Sequence, residues 1–282
     1  MLTISSGVRV LGPSDLPEFL ELTGQDPVVN VFADYRARTT RLDPRWLGGE
    51  VLGRFVDGQL VAGLHVGANL VPVQADVHDL RAFASQLTSR HTSCATMVGP
   101  HHAVDELWRL LRDTLGPPRE ARWRQPHLEI REPPAVAPDP GVRRTQASDA
   151  DRLYPACVAM YTEEVGVSPE TGGGAALYRA RVNQLVSRGW SFASFDDNGR
   201  VVFKAEVACV SPSAAQVQGV YVDPALRGQG LAKAGMAAVV DIVLREMAPT
   251  VSLYVNGWNT PARRTYEKVG FTESARFSTV MF

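Results

Sequence analysis

The chain has 282 residues, 45% of them hydrophobic and 21% charged, which is ordinary globular composition with material for one large or two medium cores. Its 29 basic and 30 acidic residues leave a formal net charge of -1, so no global field draws it to nucleic acid or to an anionic membrane. It has no apolar run of about 18 residues and no basic N-terminal stretch leading into a long apolar one. Cys94, Cys157 and Cys209 are scattered without CxxC spacing. The expectation is a soluble protein of a reducing, cytoplasmic compartment.

In chain order, a strand at Val8 to Leu11 precedes a helix from Asp15, and a hairpin pivots on Asp57-Gly58. "NLVPV" reads as a strand, "DVHDLRAFASQLTSR" as a helix, "CATMV" as a strand, "AVDELWRLLRDTL" as a helix and "HLEI" as a strand. The proline-rich "REPPAVAPDPG" then has little that packs, and proline stiffens it, so it reads as a linker. This divides the chain into residues 1–130, a linker at 131–141, and residues 142–282.

The second half begins with a short strand, "GVRRTQ", and two helices, "SDADRLYPACVAMYTEE" and "ALYRARVNQLVSR", separated by "SPETGGG". "WSFASFDDNGRVVFKAEVACV" holds two β-rich runs around Asn198-Gly199, a hairpin signal. "AQVQGVYV" is a strand, and a glycine turn leads into the helix "LAKAGMAAVVDIVLREM", where Lys233, Asp241 and Arg245 share one face. "VSLYV" is a strand, "TPARRTYEKVG" a short helix with Pro261 at its start and Gly270 at its end, and "FTESARFSTVMF" a closing strand. The two halves share their order of elements, which predicts a tandem of similar folds.

The turn in "YVDPALRGQGLAKAGM" raises the functional question. A strand, a glycine turn and a helix present free backbone N–H groups at the positive end of a helix dipole, which suits a phosphate. Arg227 beside the glycines offers charge-assisted bonds to a diphosphate. Neither GxxxxGK[ST] nor a dinucleotide fingerprint fits. Arg227-Gly228-Gln229-Gly230-Leu231-Ala232 resembles the Arg/Gln-x-x-Gly-x-Gly/Ala signature of the GNAT superfamily of acetyl-CoA-dependent N-acyltransferases. Asn259, Ala262, Tyr266 and Gly270-Phe271 are similar to that family's N-x-x-A-x-x-x-Y-x-x-x-G-F ending. The resemblance covers residues 142 to 282. It implies an α/β (α+β) fold of two tandem GNAT-like domains, each with a mixed, mostly antiparallel central sheet flanked by helices.

The resemblance also implies roles. Acetyl-CoA would pair its pantetheine arm with Val220, Tyr221 and Val222, and an N–H near Val222 would polarise the thioester carbonyl. Backbone amides from Gly228 to Ala232 would receive the diphosphate, and Asn259 would bond pantetheine while capping the last helix. Tyr266, two helical turns after Asn259, would protonate the departing thiolate. Many members of the family place a glutamate on the strand before the turn, where this chain has Gln216 and Gln218. All six histidines lie at or before residue 127, so no histidine base is present in the second half. Glu206 in "FKAEVA" is the leading substitute, with Lys204 on the same strand face as its partner. Glu163 and Glu164, near where acceptors reach the fold, are the alternatives.

Cys209 has no nearby histidine to activate it as a nucleophile. His101-His102 with Asp105 and Glu106 have no third ligand set, so no metal is expected and these residues read as a solvated helix start. The first half has no glycine between "NLVPV" and its helix and no tyrosine at the matching helix end. It reads as a degenerate copy that shapes the acceptor site without holding a coenzyme. The expected activity is direct transfer of an acetyl group from acetyl-CoA to a primary amine of a small molecule or peptide, in a ternary complex and without nucleic acid or membrane partners. A non-catalytic acetyl-CoA-binding regulatory module is the alternative. Aminoacyl transfer from tRNA is disfavoured by the neutral charge.

Overall fold

The computed structural model describes residues 7–90 and 93–282, which leaves His91 outside it. β1 (Gly7–Val10) lies antiparallel to β2 (Gly49–Val56), which turns at Asp57-Gly58 into β3 (Gln59–Gly67). Both turn residues take left-handed φ values, 52° and 81°, as a two-residue hairpin turn requires. β4 (Asn69–Val73) continues the antiparallel ladder. β5 (Thr96–Pro100) then joins β4 in parallel through Asn69–Thr96 and Leu70–Met97. Between these strands run α1 (Leu16–Gly24), α2 (Val31–Thr40), α3 (Pro44–Leu47) and α4 (Val77–Thr88), and α5 (His101–Leu115) follows β5. α2 and α3 were not expected from sequence. α2 buries Asp34 among Val31, Ala33 and Ala37, and that carboxylate accepts bonds from Thr23 and Arg38. A satisfied charge on the inner face hides the apolar period.

β6 (Glu120–Ile130) leads to a second set of the same design. β7 (Arg143–Arg144), β8 (Ser191–Phe195), β9 (Val201–Val210) and β10 (Ala215–Val222) pair antiparallel in that order. β11 (Val251–Tyr254) joins β10 in parallel through Ala215–Val251 and Gln216–Ser252. Its helices are α6 (Ala150–Val165), α7 (Ala175–Ser187), α8 (Leu231–Glu246) and α9 (Thr260–Val269). The β8–β9 connection spans Asp196 to Arg200 and is longer than the Asn198-Gly199 pair alone. The Asp196 carboxylate accepts from the N–H groups of Asn198 and Arg200, while Gly199 takes the left-handed φ. Each set is thus a mixed, mostly antiparallel sheet flanked by helices, as expected, and its parallel step falls at the same place.

Two compact units result. One comprises Met1–His127, Tyr254–Trp258 and Glu273–Phe282; the other comprises Leu128–Leu253 and Asn259–Thr272. They are not the two continuous stretches of the sequence division. The closing strand β12 (Thr272–Met281) pairs with β5 from Phe277–Pro100 to Met281–Thr96, so the C-terminal strand completes the first unit's sheet. The proline-rich residues 131–141 fall wholly within the second unit. Ala135 N–H donates to the Val269 carbonyl and Asp139 N–H to that of Ala234, which lays the segment along α9 and α8.

Apolar faces fix the layers. In the first unit Leu80, Phe83, Leu107 and Leu111 of α4 and α5 pack with Met97 and Val280, while Phe19, Leu22 and Ala37 pack with Val51 and Val73. In the second unit Leu153, Cys157, Val182 and Val186 of α6 and α7 pack on Ala193 and Val201. On the other face Met236, Val239, Val240 and Val243 of α8 are buried. Gly235 brings α8 against β9: a Cβ there would lie 2.6 Å from Cγ of the fully buried Phe203. Gly235→Ala, although alanine favours a helix, is expected to lower unfolding free energy by about 1–3 kcal/mol through overpacking. Urea denaturation measures this, and unchanged or raised stability would contradict the close approach.

Candidate functional site

The second unit's site is built where its parallel step ends. β10 and β11 pair through two residues only, yet β10 runs on to Val222. Along that extension β10 bulges: Gln218 faces Glu206 and Tyr221 faces Lys204 across the ladder with β9, so Gly219 and Val220 together stand opposite a single residue. Gly219 takes φ +60°, and a Cβ on it would meet the Glu206 Cδ at 3.0 Å and the Met160 Cε at 3.1 Å. Only a glycine lets the strand lie this close to Glu206. Val220 and Tyr221 of the bulge are half-buried, and Val222 is buried.

The chain then turns. The Asp223 side chain accepts from Ala225 N–H, and Gly228 and Gly230 take φ +81° and +84°. Nothing lies within 4 Å of a Cβ built on either glycine. These glycines therefore serve the backbone conformation and leave open space above it. No side chain caps α8; Gly230 stands at its N-cap, and its carbonyl accepts from Lys233 and Ala234 N–H. The turn from Gly228 to Gly230 is exposed, and Leu231 and Ala232 are half-buried.

The matching helix of the first unit differs at this point. Asp76 caps α4 by accepting from the N–H groups of His78 and Asp79, and the Asp79 side chain accepts from Asp76 N–H in return. Carboxylates fill the end of α4 that α8 leaves open, so an anion is repelled from one and attracted by the other.

Arg227 does not point freely from the turn. Its guanidinium forks onto Glu163 at the end of α6 with bonds of 2.9 and 2.7 Å, and its Nε donates to the Val222 carbonyl at 3.1 Å. Of the two predicted acceptor-side carboxylates, Glu163 is thus committed to Arg227. Glu164 acts on Tyr266: burial first, then the Glu164 charge, holds the Tyr266 phenol above its ordinary pKa. Tyr266 is buried on α9 and packs edge-on against Phe271, so its proton is retained throughout the neutral range. Asn259 caps α9 through Oδ1, which accepts from Ala262 N–H at 3.2 Å. α9 packs beside α8, and Ala262 and Tyr266 lie on α9 with Asn259 as its N-cap.

Glu206 sits in a separate buried cluster. Lys204, wholly buried on the same face of β9, donates to Glu206 Oε2 at 3.1 Å, as the two-residue spacing predicts. Gln218 donates to Oε1 at 2.9 Å from β10. In the sequence Gln218 registers only as the absence of a glutamate. A glycine inside a strand was the available sign of a bulge there. Cys209 is no nucleophile, since burial pushes its thiol up to about 12. His101 starts α5 with Nδ1 against the Ser278 hydroxyl, and no group of three metal-ligating side chains occurs among the described residues.

Residues 185–271 match the Acetyltransferase (GNAT) family, and residues 49–153 match a family described as a domain of unknown function (DUF4081). A mycothiol acetyltransferase of Mycolicibacterium paratuberculosis is 32% identical over 201 residues, covering 65% of this chain and 57% of the relative. The chain spans about half the length of the curated relatives it matches, 45% and 57%. A GCN5-related N-acetyltransferase from Sphaerobacter thermophilus superimposes with TM-score 0.65 at 18% identity over 98% of this chain and 94% of that one. A tandem GNAT protein from the clavulanic acid biosynthesis pathway does so with TM-score 0.58 at 15% identity over 98% of both. At such identities the likeness is one of fold.

Proposed function

We propose that this chain, whose residues 185–271 carry a GNAT acetyltransferase domain, moves an acetyl group from acetyl-CoA to a primary amine of a small molecule. The observation that carries the reading is the open N-terminus of α8, framed by two left-handed glycines, after a β10 that runs on past its pairing with β11. Mycothiol acetyltransferase, the name of the curated relatives, supports a small-molecule acceptor.

Acetyl-CoA supplies the acetyl group as a thioester. The backbone N–H groups from Gly228 to Ala232 bind its diphosphate at the positive end of α8. Val220, Tyr221 and Val222 offer the β10 edge to the pantetheine arm, and the N–H near Val222 polarises the thioester carbonyl. Asn259, its Oδ1 spent on the cap, bonds pantetheine through its amide N–H groups. Glu206 takes a proton from the acceptor ammonium, freeing the nitrogen to form the new C–N bond as the C–S bond breaks. Tyr266 donates its proton to the departing sulfur. The nitrogen loses two protons in all: one leaves through Glu206 to solvent, and the other balances the proton that Tyr266 gives and regains. Arg227 acts through its fork on Glu163, which holds the turn against α6.

Asparagine tolerates a left-handed φ, so Gly230→Asn keeps the turn while placing a side chain in the open space above it. It should fold with near wild-type stability and lose at least about tenfold in acetyl-CoA affinity by calorimetry, if close backbone approach is needed. Unchanged affinity would remove the diphosphate from this turn.

Tyr266→Phe should bind acetyl-CoA as the wild type does and lose roughly 10²-fold in kcat, because the proton it supplies is used in the transition state. The assay is release of free thiol from acetyl-CoA over a panel of amines. Wild-type turnover in this variant would leave Tyr266 a packing residue. Coenzyme binding without turnover by the unaltered chain would instead mark a binding module.

A further inference from the structure

Lys204 is the one lysine or arginine buried to this degree among the described residues; none of its surface is exposed. Taking an ammonium and a carboxylate out of water costs several kcal/mol each, and apolar residues of similar volume are often at least as stabilising. Stability alone is therefore a weak reason for this pair. Its location supplies a better one. The Glu206 carboxylate is held at both oxygens, by Lys204 from below and by Gln218 from the next strand. Gln218 is exposed, so this chain of bonds runs from the core to the accessible side of β10. Beside it lies the bulge, where Gly219 leaves the space that a Cβ would take, 3.0 Å from the Glu206 Cδ.

We infer that Lys204 and Gln218 are positioning residues that hold the Glu206 carboxylate turned against the β10 bulge, so that a carboxylate rooted on β9 receives the acceptor's proton beside the thioester. The inference rests on the acetyl-transfer reading above. The division of labour follows from the two bonds. Lys204 supplies a fixed positive charge from a wholly buried position, 3.1 Å from Glu206 Oε2. Gln218 supplies direction, since a single amide N–H bond to Oε1 fixes the rotation of the carboxylate plane. Gly219 supplies room. The other groups facing the cluster are the Cys157 thiol of α6, whose titration burial and Glu206 push up and Lys204 pulls down, and the Tyr178 hydroxyl of α7, which donates to the Cys157 carbonyl. Both stay protonated at neutral pH, Tyr178 chiefly through burial. Lys204 is the only cation among them; burial opposes its charge, and the Glu206 carboxylate beside it raises its pKa all the same.

The test is the pH dependence of kcat for full-length variants, with the amine that gives turnover in the wild type. The rate of the wild type should fall on the acid side as Glu206 becomes protonated. In Lys204→Met the carboxylate loses its cation, so it takes up a proton more readily; this limb should move to higher pH by about one unit or more, with the rate restored in alkaline buffer. Gln218→Leu, at an exposed position that tolerates change, should move the limb the same way by less. It carries the test alone if the lysine variant does not fold. Glu206→Gln should abolish the limb together with most of the rate, and KM for acetyl-CoA should stay near wild type in all three. A lower melting temperature with the limb unmoved in Lys204→Met or Gln218→Leu would overturn the assignment and leave the cluster as packing. No turnover of any amine by the wild type would overturn the acetyl-transfer reading itself, which is a different result from turnover with an unmoved limb.

Discussion

The first N–H groups of an α-helix have no partner within it, and what meets them decides what the helix can bind. The two units of this chain answer differently with the same scaffold. In each, an antiparallel run of strands ends in a parallel step of two residue pairs, and a helix starts just past the fourth strand. In the first unit Asp76 and Asp79 bond the exposed N–H groups reciprocally and place negative charge there. In the second, Gly228 and Gly230 leave them uncovered and at the surface. A helix end that a carboxylate has filled repels an anion, whereas an uncapped one attracts it, and this difference underlies the proposal of a single diphosphate site in the second unit.

Chemistry follows from how β10 departs from regularity. A regular strand would continue its ladder and spend its edge on a neighbour; this one stops pairing with β11 and bulges toward β9. The bulge leaves room for the Glu206 side chain beside Gly219. A residue with a Cβ at position 219 would close that room from two sides, against Glu206 and Met160. Fold and mechanism therefore meet at one glycine. The Arg227–Glu163 fork works on a different scale. Both side chains are about half-exposed, and such a pair contributes little to stability. Its use is to tie the turn to α6, the helix that also carries Met160 and Cys157 toward Glu206.

Much of this was legible in the sequence because the signals are local. Helix and strand order followed from apolar period, the Asn259 cap from its place before Pro261, and the Lys204–Glu206 pair from spacing along one strand. "DVHD" also carries a readable capping box at the start of α4, beside the missing glycines. What escaped depends on distant partners. Gln218 reaches Glu206 only in the register of β9 and β10, and Arg227 meets a glutamate 64 residues earlier. The pairing of β12 with β5 joins residues on either side of the whole second unit, and no local pattern announces it. α2 was missed because its buried face holds Asp34, satisfied by groups that sequence does not bring together.

The central claim is that one helix end of the two is open to a diphosphate. Isothermal titration of the full chain with acetyl-CoA tests it most directly, because stoichiometry counts the open ends. The account predicts one equivalent bound per chain, with the site weakened by a side chain at position 230 and untouched by Asp76→Asn, which removes charge from the closed end while keeping a cap. Two equivalents bound by the unaltered chain would contradict it.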